Sequence, residues 1–253
     1  VPESVVTARR ARLAELLRLH RYLPVQEVCR RLKVSEATAR RDLSALARTR
    51  LLTRTYGGAL SQLASFDRSF PSFPDRQLSN PEGKREIGRQ VRKILRPGQT
   101  VFFDSGTTLH FIAQHLAEKP ISPLRVVTCS LPVAEVFSSS QKVEVFLLAG
   151  ELLPRQSVLL GEFAQRSAQF WDYDVCLLGA EGINSAGAWN SDPAIIEFQR
   201  TISGRSRHRI LCADSSKLGR NAPEKLCSWN EVDRLITDAT AAQLSAAGIA
   251  PGR

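Results

Sequence analysis

The chain has 253 residues, with 35 Lys+Arg against 25 Asp+Glu, a formal net charge of +10, five cysteines and no methionine. An apolar fraction of 43% and a charged fraction of 24% are ordinary for a globular protein, so wholesale disorder and a fibrous fold are excluded, and the length suits one large domain or a small one plus a large one. No apolar run approaches the roughly 18–20 residues of a membrane span, and the first residues lack the basic start and apolar stretch of a secretory signal, so a cytoplasmic protein is expected.

The excess charge is unevenly placed. Residues 1–60 hold 13 Lys/Arg and 5 Asp/Glu, a net of +8, whereas residues 61–253 are nearly balanced at +2. This asymmetry points to a small module for a polyanion joined to an almost neutral body.

Taken in order, the first 60 residues predict three helices and a hairpin. Arg9 to His20 carries Leu13, Leu16 and Leu17 at amphipathic spacing. Pro24 opens a second short helix, Val25 to Leu32, with Cys29 on its apolar stripe beside Val28. Lys33-Val34 makes a turn, and Ser35 is a natural N-cap for a third helix reaching about Arg48. Two short helices around such a turn form a helix-turn-helix.

On the third helix Ala39, Leu43 and Leu46 make the buried stripe. Ala37, Arg41, Ser44 and Arg48 point away from it, Thr38 and Arg40 flank them, and the outward face is expected to carry no acid, with Glu36 leaning inward and Asp42 to the side. Small side chains beside arginines suit the DNA major groove. The run 51–56 followed by Gly57-Gly58 then reads as a wing whose Arg54 and Tyr56 reach the DNA backbone or minor groove.

Residues 61–83 are rich in Ser and Pro and read as a linker, although Phe66, Phe70 and Phe73 suggest a segment that docks. A helix from Pro81 to Leu95 follows. The remainder alternates strands at 100–103, 125–128, 143–148, 174–178, 208–213 and 232–236 with helices, the pattern of a mainly parallel α/β sheet. Ligands in such sheets sit beyond the carboxyl ends of the strands. There lie Asp104-Ser105-Gly106-Thr107-Thr108, whose amides and hydroxyls suit an anion, then Gly179-Ala-Glu181-Gly and Asp214-Ser-Ser-Lys217. The odd cysteine count without a Cys-x-x-Cys pair, and the spacing of His110 and His115, predict no metal site; no cofactor is expected.

Ser35-Glu-Ala-Thr38-Ala-Arg40-Arg41-Asp42-Leu43 with Arg54-Thr-Tyr56-Gly57-Gly58-Ala59 resembles the DNA-binding domain of DeoR-family bacterial transcriptional regulators. The chain departs from that pattern at Ala39 and Arg50. The C-terminal part is similar to the family's effector domain, itself like ribose-5-phosphate isomerase, and departs from it at Cys129 and Ala149. The resemblance implies an α/β protein with a winged helix-turn-helix at 1–60, a linker at 61–83 and an effector domain at 84–253. It implies a sugar-metabolism repressor, a homodimer or homotetramer on a double-stranded operator, with Ser35, Ala37, Thr38, Arg40, Arg41, Ser44, Arg48, Arg54 and Tyr56 at the DNA. It also implies a phosphorylated sugar as effector: Ser105 to Thr108 cradle the phosphate, Asp104 binds a hydroxyl, Lys217 supplies a cation, and Thr128, Glu181 and Asp214 complete the site. The alternative is an isomerase-like enzyme, for which the loop at Glu181 offers one carboxylate where paired acids are wanted. An RNA-binding protein is a second rival, unsupported by any RNP-like aromatic strand.

Overall fold

The computed structural model describes residues 5–19, 22–49, 52–54, 58–61 and 71–250. Two compact units meet in sequence between residues 70 and 71.

The first unit runs α1 (Val5–Leu19), β1 (Tyr22–Pro24), α2 (Val25–Leu32), α3 (Glu36–Ala47), β2 (Leu52–Arg54) and β3 (Gly58–Ser61). Lys33 closes α2 in the left-handed conformation, and the Ser35 side chain caps α3 by accepting from the Thr38 amide. Leu13 and Leu17 of α1, Val28 of α2, and Ala39, Leu43 and Leu46 of α3 pack into one core with Leu23, Leu52 and Ala59. The wing is larger than the predicted hairpin. β1, formed where the sequence suggests only a helix break, adds to it in the order β1-β3-β2, all antiparallel. Arg50, Tyr56 and Gly57 lie outside the described residues.

The second unit opens with α4 (Phe73–Gln77) and α5 (Pro81–Ile94), then β4 (Thr100–Phe103), α6 (Thr107–Glu118), β5 (Leu124–Thr128), α7 (Leu131–Phe137) and β6 (Val143–Leu147). A hairpin of β7 (Glu151–Leu153) and β8 (Val158–Leu160) leads through α8 (Glu162–Ala168) to β9 (Tyr173–Gly179). After β10 (Gly182–Asn184) and β11 (Gly187–Asn190) come α9 (Pro193–Gly204), β12 (Ser206–Cys212), β13 (Glu224–Cys227), β14 (Arg234–Ile236) and α10 (Ala241–Ala246). Six strands form a parallel sheet in the order β14-β12-β9-β4-β5-β6. Val101, Phe103, Val126, Leu177 and Ile210 of its strands pack with Ile87, Val91, Ile112 and Val133 of the helices. A small antiparallel sheet, β10-β11-β13, stands apart from the main one.

The chain runs from β4 outward through β5 to β6, then returns to β9 on the other side and continues to β12 and β14. Strand order therefore reverses between β4 and β9, the place where open α/β sheets leave a crevice at their carboxyl ends. Part of the Ser/Pro-rich segment read as linker is built into this unit. Ser72 and Asp75 form a capping box around Pro74, and Phe73 is buried with its ring edge-on to His110 at 5.6 Å.

A candidate DNA interface and a candidate anion cleft

On α3 the residues expected at DNA are brought to one exposed surface. Ala37, Arg40, Arg41 and Arg48 are exposed, with Thr38 and Ser44 half-buried beside them. Arg54 of β2 reaches across: its Nη1 donates to Ser44 Oγ at 2.8 Å, and that hydroxyl donates to the Arg40 carbonyl at 2.7 Å. One side-chain contact thus holds the wing strand beside the outward face of α3. Tyr56 lies outside the described residues.

Both acids of this helix differ from expectation. Glu36 is exposed and pairs with Arg40 at 2.6 Å, because a four-residue spacing on a helix brings the side chains together. Such an exposed pair is worth about 0.3–0.5 kcal/mol, so Arg40 is readily released to a phosphate. Asp42 is not on a flank; it is 1% exposed and receives Arg9 Nε at 2.6 Å and Arg10 Nε at 3.0 Å, which bind α1 to α3. Burial alone would lift its carboxyl, but the bonds from Arg9 and Arg10 hold it below the ordinary carboxylate range.

In the second unit the three predicted loops converge at the β4/β9 crevice. Gly106, at φ +116°, lets the chain turn from Asp104 into α6, a backbone conformation that a residue with a Cβ rarely adopts. Thr107 and Thr108 occupy the first turn of α6, where free amides and the helix dipole favour an anion.

Asp104 holds the crevice together instead of facing it. The side chain is 2% exposed and accepts from the Ser105 amide at 2.7 Å, the Gly179 amide at 2.9 Å and Gln199 Nε2. Burial raises its carboxyl to about 6 against those three donors. Gln199 Oε1 accepts from Asn190 Nδ2 at 2.7 Å, and Asn190 Oδ1 from the Glu181 amide at 2.8 Å. Asp104, Gln199, Asn190 and the Glu181 loop therefore form one hydrogen-bonded chain. Thr128 is also internal, fully buried, donating to the Phe103 carbonyl at 2.7 Å and accepting from the Ser130 amide at 3.0 Å. Asp104, at 2% exposed, and Thr128, fully buried, thus tie the loop ends together through these bonds.

The Asp214 loop is built against α5. Asp214 Oδ1 accepts from Asn80 Nδ2 at 3.2 Å and from the Ser216 amide at 3.1 Å, while its Oδ2 is buried with no hydrogen-bond partner among the described residues. Asn80 Nδ2 also reaches Asp238 Oδ2 at 3.2 Å, and Asp238 receives the Ser215 amide at 2.6 Å. A buried carboxylate oxygen left open in this way is an acceptor for a hydroxyl.

Two cations that sequence reasoning missed join Lys217 here. Lys84 of α5 is 1% exposed and donates to the Arg76 carbonyl at 2.6 Å and to the Ser79 carbonyl. Burial lowers its ammonium to about 8, with Asp214 opposing that and Lys217 and Arg76 adding to it. Arg76 of α4 is likewise lowered by burial and balanced by Glu181 and Asp104. Lys217, lowered by burial, feels Asp214 and Glu181 as well as Arg76. Lys84 had a signal in the sequence, a lysine in line with Ile87 and Val91 on the apolar stripe of its helix; Arg76 had none. Desolvated cations beside free helix amides make a strong anion trap. Among the described residues no cluster of His, Cys, Asp and Glu suits a metal ion, and no helix is long and apolar enough to cross a membrane.

A basic helix-turn-helix with a wing, followed by a parallel α/β unit with a crevice at its strand ends, is the architecture of a two-part DNA-binding regulator. Residues 9–63 match the DeoR-like helix-turn-helix domain and residues 79–239 the DeoR C terminal sensor domain, so the chain belongs to the DeoR family of transcriptional regulators and is not an enzyme. It is 34% identical over 234 residues to the glycerol-3-phosphate regulon repressor of Escherichia coli (strain K12), covering 92% of this chain and 91% of that one. It is 30% identical to the HTH-type transcriptional repressor GlcR of Bacillus subtilis (strain 168), covering 89% and 86%. Ribose 5-phosphate isomerase A from Methanocaldococcus jannaschii superposes with a TM-score of 0.41 at 13% identity, covering 56% of this chain and 58% of that one.

Proposed function

We propose that the protein represses a carbohydrate-utilisation operon in the cytoplasm and is released from its operator by a small phosphorylated sugar. The observation that carries the effector half is the gathering of Arg76, Lys84 and Lys217, all desolvated, beside the Ser105–Thr108 turn. In this reading the phosphate sits on the amides and hydroxyls of Ser105, Gly106, Thr107 and Thr108. Lys217 and Arg76 neutralise it, and Lys84 holds the Arg76 carbonyl from below. Asp214 Oδ2 accepts from a sugar hydroxyl, Glu181 faces the cations, and Asp104 and Thr128 fix the loop ends.

The repressing sign follows the relatives, which are named as repressors. At the operator, Arg41 and Arg48 meet bases or phosphates, Ala37, Thr38 and Ser35 allow close approach, and Arg40, Ser44, Arg54 and Tyr56 hold the backbone. The chain acts as a homodimer or homotetramer, with residues 1–60 as the DNA module, because one recognition helix reads only a half-site.

The test is fluorescence anisotropy on the promoter nearest its gene, titrated with sn-glycerol 3-phosphate and a panel of hexose and pentose phosphates against their unphosphorylated forms. One phosphorylated compound is expected to weaken operator binding at least tenfold, a coupling of about 1.4 kcal/mol, while its unphosphorylated form does nothing. Equal effects from both forms would remove the phosphate from the reading.

A further inference from the structure

The chain passes from the first unit into the second between residues 70 and 71, and α4 begins almost at once, at Phe73. With five residues, α4 is far shorter than the roughly 12–15 at which an isolated helix becomes marginally stable, so its docking keeps it folded. The docking contacts gather around the proposed anion turn. The Phe73 ring packs edge-on to His110 of α6 at 5.6 Å, and the Phe73 amide donates to the Arg155 carbonyl in the β7–β8 turn at 2.9 Å. The Arg76 carbonyl accepts from Lys84 Nζ at 2.6 Å and from Thr107 Oγ1, in the first turn of α6, at 3.5 Å. The Arg76 guanidinium carbon lies 5.9 Å from the Phe73 ring centroid, and its charge is felt by Glu181 and Asp104 across the cleft.

The stretch of chain that arrives from the DNA module thus carries one of the cations of the cleft. A ligand shifts an equilibrium only through its differential affinity for the two states. Here the states are α4 docked and α4 loosened. A phosphate on the Ser105–Thr108 turn meets Arg76 in the first state and lacks it in the second. Charge-assisted bonds from a guanidinium are among the stronger ones, so the anion favours the docked state. Phe73 acts at one remove: its buried ring seats α4 on α6, and Arg76 is placed as a result.

We propose that α4 is the strap through which an anion in the cleft acts on the DNA module, with Phe73 as the residue that positions it. The proposal rests on the anion cleft of the preceding reading and adds the route from that cleft to operator binding. An occupied cleft holds α4 down, which restrains the entry of the chain from the DNA module and limits the arrangements in which that module meets an operator. Emptying the cleft removes that restraint.

The experiment uses the full chain with inorganic phosphate, sn-glycerol 3-phosphate and the hexose and pentose phosphates as anion probes. Each replaces potassium chloride at constant ionic strength, because operator affinity follows salt. The unmodified protein is compared with Phe73→Ala and with a chain carrying a flexible Gly-Ser-Gly spacer between Phe70 and Pro71. In the unmodified protein, amide exchange at 72–79 is expected to slow when a probe binds, and saturating probe to weaken operator binding about tenfold. Phe73→Ala is expected to bind the probe several-fold more weakly in calorimetry and, even at saturation, to weaken operator binding less than about twofold. A residue that only filled the core would weaken probe binding and leave the saturated effect at about tenfold. The spacer leaves α4 and the cleft intact, so probe affinity should hold within about twofold while the effect on operator binding is lost. It also decides the question if Phe73→Ala does not fold. A full effect in the spacer chain, or exchange at 72–79 unmoved by a bound probe, overturns the strap and leaves the cleft standing. Probes that all fail to bind, or that bind without weakening operator binding, overturn the effector reading and this proposal with it.

Discussion

Lys84 shows how far burial alone changes a residue. Its neighbours along α5 are core residues, and its ammonium reaches the carbonyls of Arg76 and Ser79 with its charge only partly offset. Its folded value is about 8 against an ordinary 10.5. Between those two pH values the unfolded chain holds a proton that the folded chain has released, so this group makes stability rise as pH rises from about 8 to about 10.5. The full difference amounts to about 3 kcal/mol at 1.36 kcal/mol per pH unit. Urea denaturation of the unmodified protein and Lys84→Met at pH 7.5, 9 and 10 isolates the contribution, because other groups cancel in the comparison. The difference should move in favour of the unmodified protein as pH increases; a constant difference would place Lys84 in solvent.

Legibility from sequence also divides at the residue scale. Asp104, Ser105, Thr107 and Lys217 stand out in the sequence as short polar motifs after predicted strands, and the structure places them at strand ends. Asp42 is illegible for the opposite reason: a carboxylate on a helix flank looks solvated until Arg9 and Arg10, more than 30 positions earlier, are placed against it. Gln199 and Asn190 were invisible, since nothing in their own neighbourhoods announces a hydrogen bond to Asp104 or to the Glu181 loop.

Among elements, the six strands of the parallel sheet are readable within one or two residues because most centre on a short buried apolar run, whereas β6 is largely exposed and is read from its β-prone residues alone. The β7–β8 hairpin and the β10-β11-β13 sheet are not, being strands of only three or four residues that depend on their pairing. The start of α5 is legible in the sequence as a helix, whereas the corner it makes with α4 is not. Asn80 takes a left-handed conformation at the N-cap, accepts from the Gly83 amide at 3.2 Å, and turns its amide nitrogen toward Asp214, Ser215 and Asp238. A Cβ on Gly83 would lie 2.3 Å from Asp238 Oδ2 and 2.5 Å from Asn80 Nδ2. Gly83→Ala therefore sets two effects against each other. Helix propensity favours alanine by about 1 kcal/mol, whereas overpacking at a hydrogen-bonded corner costs about 1–3 kcal/mol. Overpacking wins, because the contacts cannot relax without breaking the Asn80 bonds. The variant should lose up to about 2 kcal/mol in urea denaturation and bind the proposed effector more weakly; a variant more stable than the parent would mean that the corner relaxes around the added methyl.

For the whole molecule, the net charge of +10 separates into two kinds of electrostatics that respond differently to salt. Residues 1–60 carry +8 of it, and Arg41 and Arg48 are exposed, so their attraction to DNA acts through water. Binding of that kind releases counterions, and a protein making 6–10 phosphate contacts loses about 10³–10⁵ in affinity between 50 and 200 mM salt. The proposed anion cleft belongs to a body whose net charge is only +2, and its cations are few and desolvated. Ions screen over a Debye length of about 10 Å at 0.1 M, but a bound phosphate in direct contact with buried groups leaves no room for them between the charges. Operator affinity should thus collapse across a potassium chloride series from 50 to 200 mM. Effector affinity, measured by calorimetry on the same protein in the same buffers, should fall by less than about fivefold. A parallel collapse of both would mean that the anion is held by exposed charge, and Arg76, Lys84 and Lys217 would then no longer account for the cleft.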